Sequence, residues 1–329
     1  MKQTLCNYLR CPLCQTSLAV AATPDEEGII WQGTLTCQNG HSFAIENGIP
    51  IMLAPELPGY ASKMGEVAGW VKMSQDEGWY RSSADVDLAL PYVVSKLGWD
   101  PVGASTWVGT EYSFTRMMQA IVRPGMRVLE IGAARTWAGR FFVEAGCDYI
   151  ACDIMADEQI GLGRAHFFME HFGCHYEAVA ADAEALPFAD GAFDLVFAIA
   201  ALHHALDLPQ MLQEMARVTR RGGHVVGLAE GVRAFNAGPD AETQSTEKTY
   251  GINEHVHSLW GYYWASLQNR LWITSIHRAA GNDWLLSDKH KARVQQFCAI
   301  PLIGEWLATL YLVGFIHDYD GVSFYCRKV

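Results

Sequence analysis

Four residues near the start of the chain have the types and spacing to hold a metal ion. Cys11-Pro-Leu-Cys14 and Cys37-Gln-Asn-Gly-His41 give C-x2-C followed by C-x3-H. Two thiolates on one knuckle and a thiolate with an imidazole on a second can close a tetrahedron around Zn²⁺. No position would remain for water, so such a site is structural. A module of roughly 50 residues buries little core, and most of its folding free energy would come from the metal. Cys6, Cys147, Cys152, Cys174, Cys298 and Cys326 have no such spacing and read as ordinary thiols. An odd total of nine cysteines argues against a disulfide framework and for a reducing cytoplasm.

A second set of residues stands after short apolar runs. Glu130-Ile-Gly132-Ala133-Ala134 opens a small-residue turn behind Arg127–Ile131, where a chain can approach a ligand closely. The full G-x-G-x-x-G of dinucleotide binders is missing. Asp153 ends the next apolar run, 21 residues after Gly132, and a carboxylate there can accept both ribose hydroxyls of an adenosine. Asp182, in Ala181-Asp-Ala-Glu-Ala-Leu-Pro-Phe188, can accept from an adenine amino group.

The elements that must position these residues alternate. Strands are expected over Arg127–Ile131, Tyr149–Asp153, 176–180, Phe193–Ile199 and His224–Ala229. Helices are expected over Thr136–Ala145, Ile160–Phe172 and Leu208–Thr219, with a turn at Arg221–Gly223. Strands alternating with crossover helices imply an α/β, doubly wound, parallel sheet. Residues 1–54 form the cysteine-bearing unit, and 55–105 a linker with a helical cap. Residues 106–230 form the core, and 231–329 a helical insertion with closing strands that covers the substrate. Within the last region a helix is expected over Asn253–Arg270 and strands over Trp272–His277 and Val322–Val329. The apolar run Ala299–Ile316 carries one charge, Glu305, and is broken by Pro301, Gly304 and Gly314, so it reads as a buried helix rather than a membrane span.

The run DAEALPFADGAFDLVFAIAALHHALDLPQMLQEMARVTRRGGHVV resembles class I S-adenosylmethionine-dependent methyltransferases of the ubiquinone/menaquinone-biosynthesis type. That likeness covers about residues 106–230 and implies a Rossmann-like sheet. It also implies that Glu130, Gly132 and Ala133 lie near the methionine part of the cofactor, Asp153 at its ribose, and Asp182 with Ala183 at its adenine. Ala200 would flank the cofactor, and Tyr112 would meet its carboxylate. Ala134 and Thr136 replace glycines common in the family, which requires a negative φ at Ala134. The N-terminal knuckles are similar to the zinc domain of ribosomal RNA guanine-N1 methyltransferases. The tail Glu46–Leu53 is similar to the zinc-ribbon activators of tRNA and protein methyltransferases.

His203 and His204 follow the fourth strand and are candidate bases; proteins of the type resembled often carry such histidines for packing. Glu254, His255 and His257 are candidates for an acceptor site. Trp260, Tyr262, Tyr263, Trp264 and Trp272 read as core before substrate box. With 24 basic and 36 acidic residues the net charge is −12, which weighs against a nucleic-acid partner. The expected reaction is methyl transfer to a small apolar metabolite. An RNA base as acceptor, suggested by the zinc module, and a non-catalytic binding relative stay open. No membrane partner is expected, and no oligomeric state is legible.

Overall fold

A computed structural model describes residues 1–233, 246–255, 257–278, 286–315 and 321–329. The N-terminal unit is a four-stranded antiparallel sheet of β1 (Leu18–Ala21), β2 (Gly33–Cys37), β3 (Ser42–Glu46) and β4 (Ile49–Pro50). In β3 burial alternates, with Phe43 and Ile45 turned inward, as expected of a sheet with one wet face. Four helices follow: α1 (Tyr60–Asp76), α2 (Ala84–Ala89), α3 (Val93–Leu97) and α4 (Ser105–Ala120).

The core then alternates β5 (Arg127–Ile131), α5 (Gly139–Glu144), β6 (Asp148–Asp153), α6 (Ala165–Phe172), β7 (Glu177–Ala180), β8 (Phe193–Ile199), α7 (Leu208–Val218) and β9 (Thr219–Glu230). β5, β6, β7, β8 and β9 are parallel and almost wholly buried, because helices cover both faces. After α8 (Thr246–Thr249) and α9 (Leu259–Gln268), β10 (Leu271–Arg278) and β11 (Val322–Lys328) complete a seven-stranded sheet of order β10-β11-β9-β8-β5-β6-β7. β11 is antiparallel to both of its neighbours. The chain winds one way from β5 to β7 and the other way from β8 to β9. The ligand cleft of such a sheet opens at that switch, beyond the C-terminal ends of β5 and β8.

The expected strand Phe193–Ile199 is β8 to the residue. Arg221–Gly223 is not a turn: β9 starts at Thr219 and absorbs the glycines as a register irregularity opposite Phe193 and Leu195. The helix expected from Asn253 begins only at Leu259, because the Ser258 hydroxyl accepts from the Gly261 N–H and caps it there. Val256 in the expected helix and Ile316 at the end of the apolar run lie outside the described residues. Within that run, α11 (Gly304–Phe315) packs against α10 (Asp288–Cys298) through Val294, Ala308 and Leu312. Among the described residues no helix is long and apolar enough to cross a membrane.

The N-terminal sheet is built onto the edge of the large one. The Met52 N–H donates to the Ala180 carbonyl at 2.7 Å, and Arg10 N–H donates to Pro187 at 2.8 Å. Leu5, Leu9, Leu35, Phe43 and Met52 share one apolar core with Val179, Leu186 and Phe188. The Arg127 guanidinium lies 3.8 Å over the Tyr8 ring. The exposed edge of β7 is thereby covered, which a terminal strand requires.

Candidate functional site

A cavity of about 670 Å³ opens at the switch point. Its floor is made by the ends of β5, β6 and β8, including Gly132, Asp153 and Ala200, and by Asp182 and Ala183 after β7. Its walls are aromatic: Trp70, Trp79, Trp99, Trp107 and Trp137 all line it. The region expected to cover the substrate was 231–329. Among the described residues nothing beyond Met211 lines this cavity, and the covering wall comes from residues 63–107.

The covering wall is clamped to the sheet by buried ionic contacts. Asp87 of α2 is fully buried between Arg135 of the first turn at 3.1 Å and Arg164 at 2.7 Å. Arg140 donates to the Leu88 and Leu90 carbonyls, each at 3.0 Å. From α1, Lys63 reaches Asp182 at 2.7 Å and Glu184 at 2.9 Å, with both ends of each pair nearly buried. Removing one member of such a pair leaves an uncompensated charge, so these contacts fix where the wall sits.

Asp153 accepts from the Ala134 N–H through Oδ2 and from the Met155 N–H through Oδ1, both at 2.8 Å. Burial pushes its carboxyl up, while those two N–H groups act in the opposite direction. The first turn departs from expectation: Ala134 has φ 42° and Thr136 φ 62°. Left-handed backbone at such residues costs of order 1–3 kcal/mol each. Two contacts hold it there, the Ala134 N–H on Asp153 and the Thr136 hydroxyl on the Tyr176 hydroxyl at 2.8 Å. Ala200 is likewise left-handed, at φ 47°.

Three of the residues implied for the cofactor do not face the cavity. Ala133 is packed in the core on the far side of the turn. Tyr112 accepts from Arg116 at 3.1 Å and is absent from the cavity wall. Trp107, five residues earlier on α4, takes the inward position because five residues at roughly 100° each leave the two side chains about 140° apart around the helix. Glu130 points beneath the sheet, where the Tyr149 hydroxyl donates to it. Burial pushes its carboxyl up to about 8. Its native pKa thus exceeds the unfolded value, and the native state holds the extra proton between about pH 4.5 and 8. Stability must fall as pH rises through that window and level off above it. Glu130→Gln keeps an acceptor for Tyr149 without the titration. It is expected to flatten the melting temperature between pH 5 and 8 and to raise it at pH 8. A variant curve as steep as the parent's would remove this assignment.

His204 lines the cavity, whereas His203 does not and His255 is exposed. Burial lowers the His204 pKa, but Glu66 and Glu254 outweigh it and the imidazole is pushed up to about 9. Tyr262 is core, while Trp260, Trp264 and Trp272 are more than half exposed, so that cluster is neither wholly core nor a wall of this cavity. Lys63, Glu66 and the five tryptophans were missed as site residues. A lone lysine or glutamate on a helix carries no local signal, and their partners lie far away in sequence.

At the other end, Cys11, Cys14, Cys37 and His41 converge, with all four ligand atoms within 4.8 Å of one another. Cys14 Sγ is 3.7 Å from Cys37 Sγ, and His41 Nδ1 is 3.3 and 3.4 Å from Cys11 and Cys37. A tetrahedron with Zn–S bonds of about 2.3 Å has an S–S edge of about 3.8 Å, so the donor set fits.

Residues 129–227 match the family model described as a methyltransferase domain. The chain is 34% identical over 104 residues to the demethylmenaquinone methyltransferase of Renibacterium salmoninarum, covering 31% of this chain and 40% of that one. It is 36% identical over 110 residues to a ubiquinone/menaquinone biosynthesis C-methyltransferase of Hahella chejuensis, covering 32% and 44%. It is 30% identical over 139 residues to a malonyl-acyl-carrier-protein O-methyltransferase of Gallionella capsiferriformans, covering 40% and 44%. The chain therefore spans less than half the length of these curated relatives. Among solved structures, the cyclase SpnF superposes with a TM-score of 0.52 at 14% identity, over 85% of this chain and 98% of that one. A sarcosine dimethylglycine methyltransferase of Galdieria sulphuraria, so named provisionally, gives 0.50 at 17%, over 69% and 87%. The fold is the Rossmann-like methyltransferase fold. That a cyclase shares it means the reaction must be argued from the site.

Proposed function

We propose that this chain transfers a methyl group from S-adenosylmethionine to a small, largely apolar acceptor, and that its N-terminal module holds one structural Zn²⁺ through Cys11, Cys14, Cys37 and His41. The observation that carries the first part is the sharing of one aromatic-walled cavity by Gly132, Asp153, Asp182, Ala183 and Ala200. Its size falls within the roughly 300–1,000 Å³ of small-molecule sites.

Bound there, the cofactor supplies an electrophilic methyl on a sulfonium. The protein's task is then alignment, since positioning alone can provide most of the acceleration of a displacement. Asp153 keeps a lone pair on each oxygen for ribose hydroxyls beyond its two backbone donors. Asp182 Oδ2 has one further lone pair for an adenine amino group, and Ala183 lies beside it. The tryptophan walls exclude water and offer flat apolar surface to the acceptor. Lys63, Arg135 and the His204 imidazolium, the cations of the lining, are all paired with carboxylates. That supports an uncharged or weakly polar acceptor over a phosphate backbone.

Cell extract incubated with the protein and methyl-labelled S-adenosylmethionine should yield label in the organic-soluble, low-molecular-mass fraction. Label found in RNA would replace the small-molecule reading by base methylation. Absence of label together with absence of S-adenosylhomocysteine binding would leave a non-catalytic protein.

A further inference from the structure

We infer that His203, His204 and Glu254 form a second metal centre, distinct from the cysteine cluster, which takes a divalent first-row transition cation at the rim of the cavity. The ligand atoms of the three side chains lie within 4.8 Å of one another. Glu254 bridges the pair: its Oε2 is 3.7 Å from His203 Nε2 and its Oε1 is 4.0 Å from His204 Nε2. Cis ligands on one ion stand roughly 3–3.4 Å apart, given metal–nitrogen and metal–oxygen bonds near 2.0–2.2 Å. The two edges to Glu254 exceed that by about 0.3–1 Å and the edge between the imidazoles is no longer than 4.8 Å, so binding draws the three side chains together by rotamer adjustment.

The outer partners show which nitrogen of each ring the ion would take, at His204 in place of the second proton that Glu66 and Glu254 favour in the metal-free chain. His203 Nδ1 faces Glu230 Oε2 at 3.0 Å, and His204 Nδ1 faces the Asn253 carbonyl at 2.6 Å and Glu66 Oε1 at 3.2 Å. Both Nδ1 atoms meet acceptors, so each carries a proton and donates. Both Nε2 atoms turn toward Glu254. Histidine ligands are oriented in this way at metal sites, by a carboxylate or carbonyl on the far ring nitrogen. Glu230 is itself fully buried and held by the Ala201 and Leu202 N–H groups, so it is a fixed support.

Two backbone contacts fasten the two segments that supply the ligands. The His255 N–H donates to the His203 carbonyl and the Asn253 amide donates to the His204 carbonyl, each at 3.0 Å. Neither His255 nor His257, the histidines that the sequence singled out beside Glu254, belongs to the triangle. Two imidazoles and one carboxylate leave coordination positions open. His204 lines the cavity, so the open positions take an oxygen donor there: a hydroxyl or an enol. That last role rests on the methyl-transfer reading; the metal centre itself does not.

The full chain, stripped with a chelator and titrated with Co²⁺, tests this. Two equivalents should bind. One should show the intense thiolate-to-metal absorption of the cysteine cluster, and the other only weak ligand-field bands. Glu254→Gln and His203→Ala should each abolish the weak-band equivalent and spare the thiolate one. Glu230→Gln should weaken it by roughly 10- to 100-fold, the usual cost of losing an outer partner. Far-ultraviolet dichroism and S-adenosylhomocysteine binding on the same samples report the fold and the cofactor site separately. A wild-type chain that binds only the thiolate equivalent overturns the inference. So do variants that fold and still bind two.

Discussion

Removing the metal from the N-terminal module, by chelation or by Cys37→Ser, is expected to lower the melting temperature by about 10 °C or more and to weaken cofactor binding with it. Structural Zn²⁺ in small modules contributes roughly 10–16 kcal/mol of apparent binding free energy at neutral pH. If only a third of that survives as stability of the whole chain, the shift follows at roughly 2–4 °C per kcal/mol. The loss cannot stay local. Leu9, Leu35, Phe43 and Met52 belong to the same apolar core as Val179 and Phe188. The Met52 N–H is bonded to Ala180, two residues before Asp182. When the knuckles open, the edge strand and the loop that carries Asp182 lose their cover. Calorimetric scans with parallel elemental analysis measure this. A purified chain without zinc, or one whose melting is indifferent to Cys37→Ser, sinks the zinc assignment.

What was legible in the sequence is what short-range pattern encodes. β8 is a seven-residue run with a single charge, Asp194, and α7 begins where Asp207 accepts from the Gln210 N–H. Asp153 and Asp182 were legible because each ends or follows a buried strand, a position set by a short apolar run and the turn behind it. The knuckles were legible because metal ligands come at fixed spacings. The covering wall was not. Lys63 meets Asp182 across 119 residues, and Asp87 meets Arg164 across 77. No window of the sequence contains both partners. The apolar insertion at 299–316 drew the substrate there because it is the most hydrophobic stretch, yet α11 spends its inward face on α10 and β10. Helical phase keeps Tyr112 off the cavity wall, where α4 presents Trp107 instead. The first turn also misled. A negative φ at Ala134 was the sensible expectation for an alanine. The carboxylate of Asp153, 19 residues away, holds that N–H and with it the left-handed backbone.

That contact makes Asp153→Ala the most informative substitution in the cavity, with an expected loss of S-adenosylhomocysteine affinity of roughly 10- to 150-fold. Hydrogen bonds to a charged group contribute about 1.5–3 kcal/mol, and each 1.4 kcal/mol is tenfold in a dissociation constant. Two effects act together. The alanine removes the acceptor for the ribose hydroxyls. It also frees the Ala134 N–H, so a turn already held at φ 42° loses its anchor. Asp153→Asn separates them. Its one remaining carbonyl oxygen can serve the Ala134 N–H or the Met155 N–H, but not both, and its amide nitrogen must oppose a donor. A weakened turn with partial ribose contact would place Asn between the parent and Ala in affinity. Calorimetric titration with S-adenosylhomocysteine, with melting temperature as the check on folding, gives both numbers. Affinity unchanged in Asp153→Ala, in a protein that still melts cooperatively, would mean that the ribose is held elsewhere in the cavity, and the placing of the cofactor along β5 and β6 would have to be abandoned.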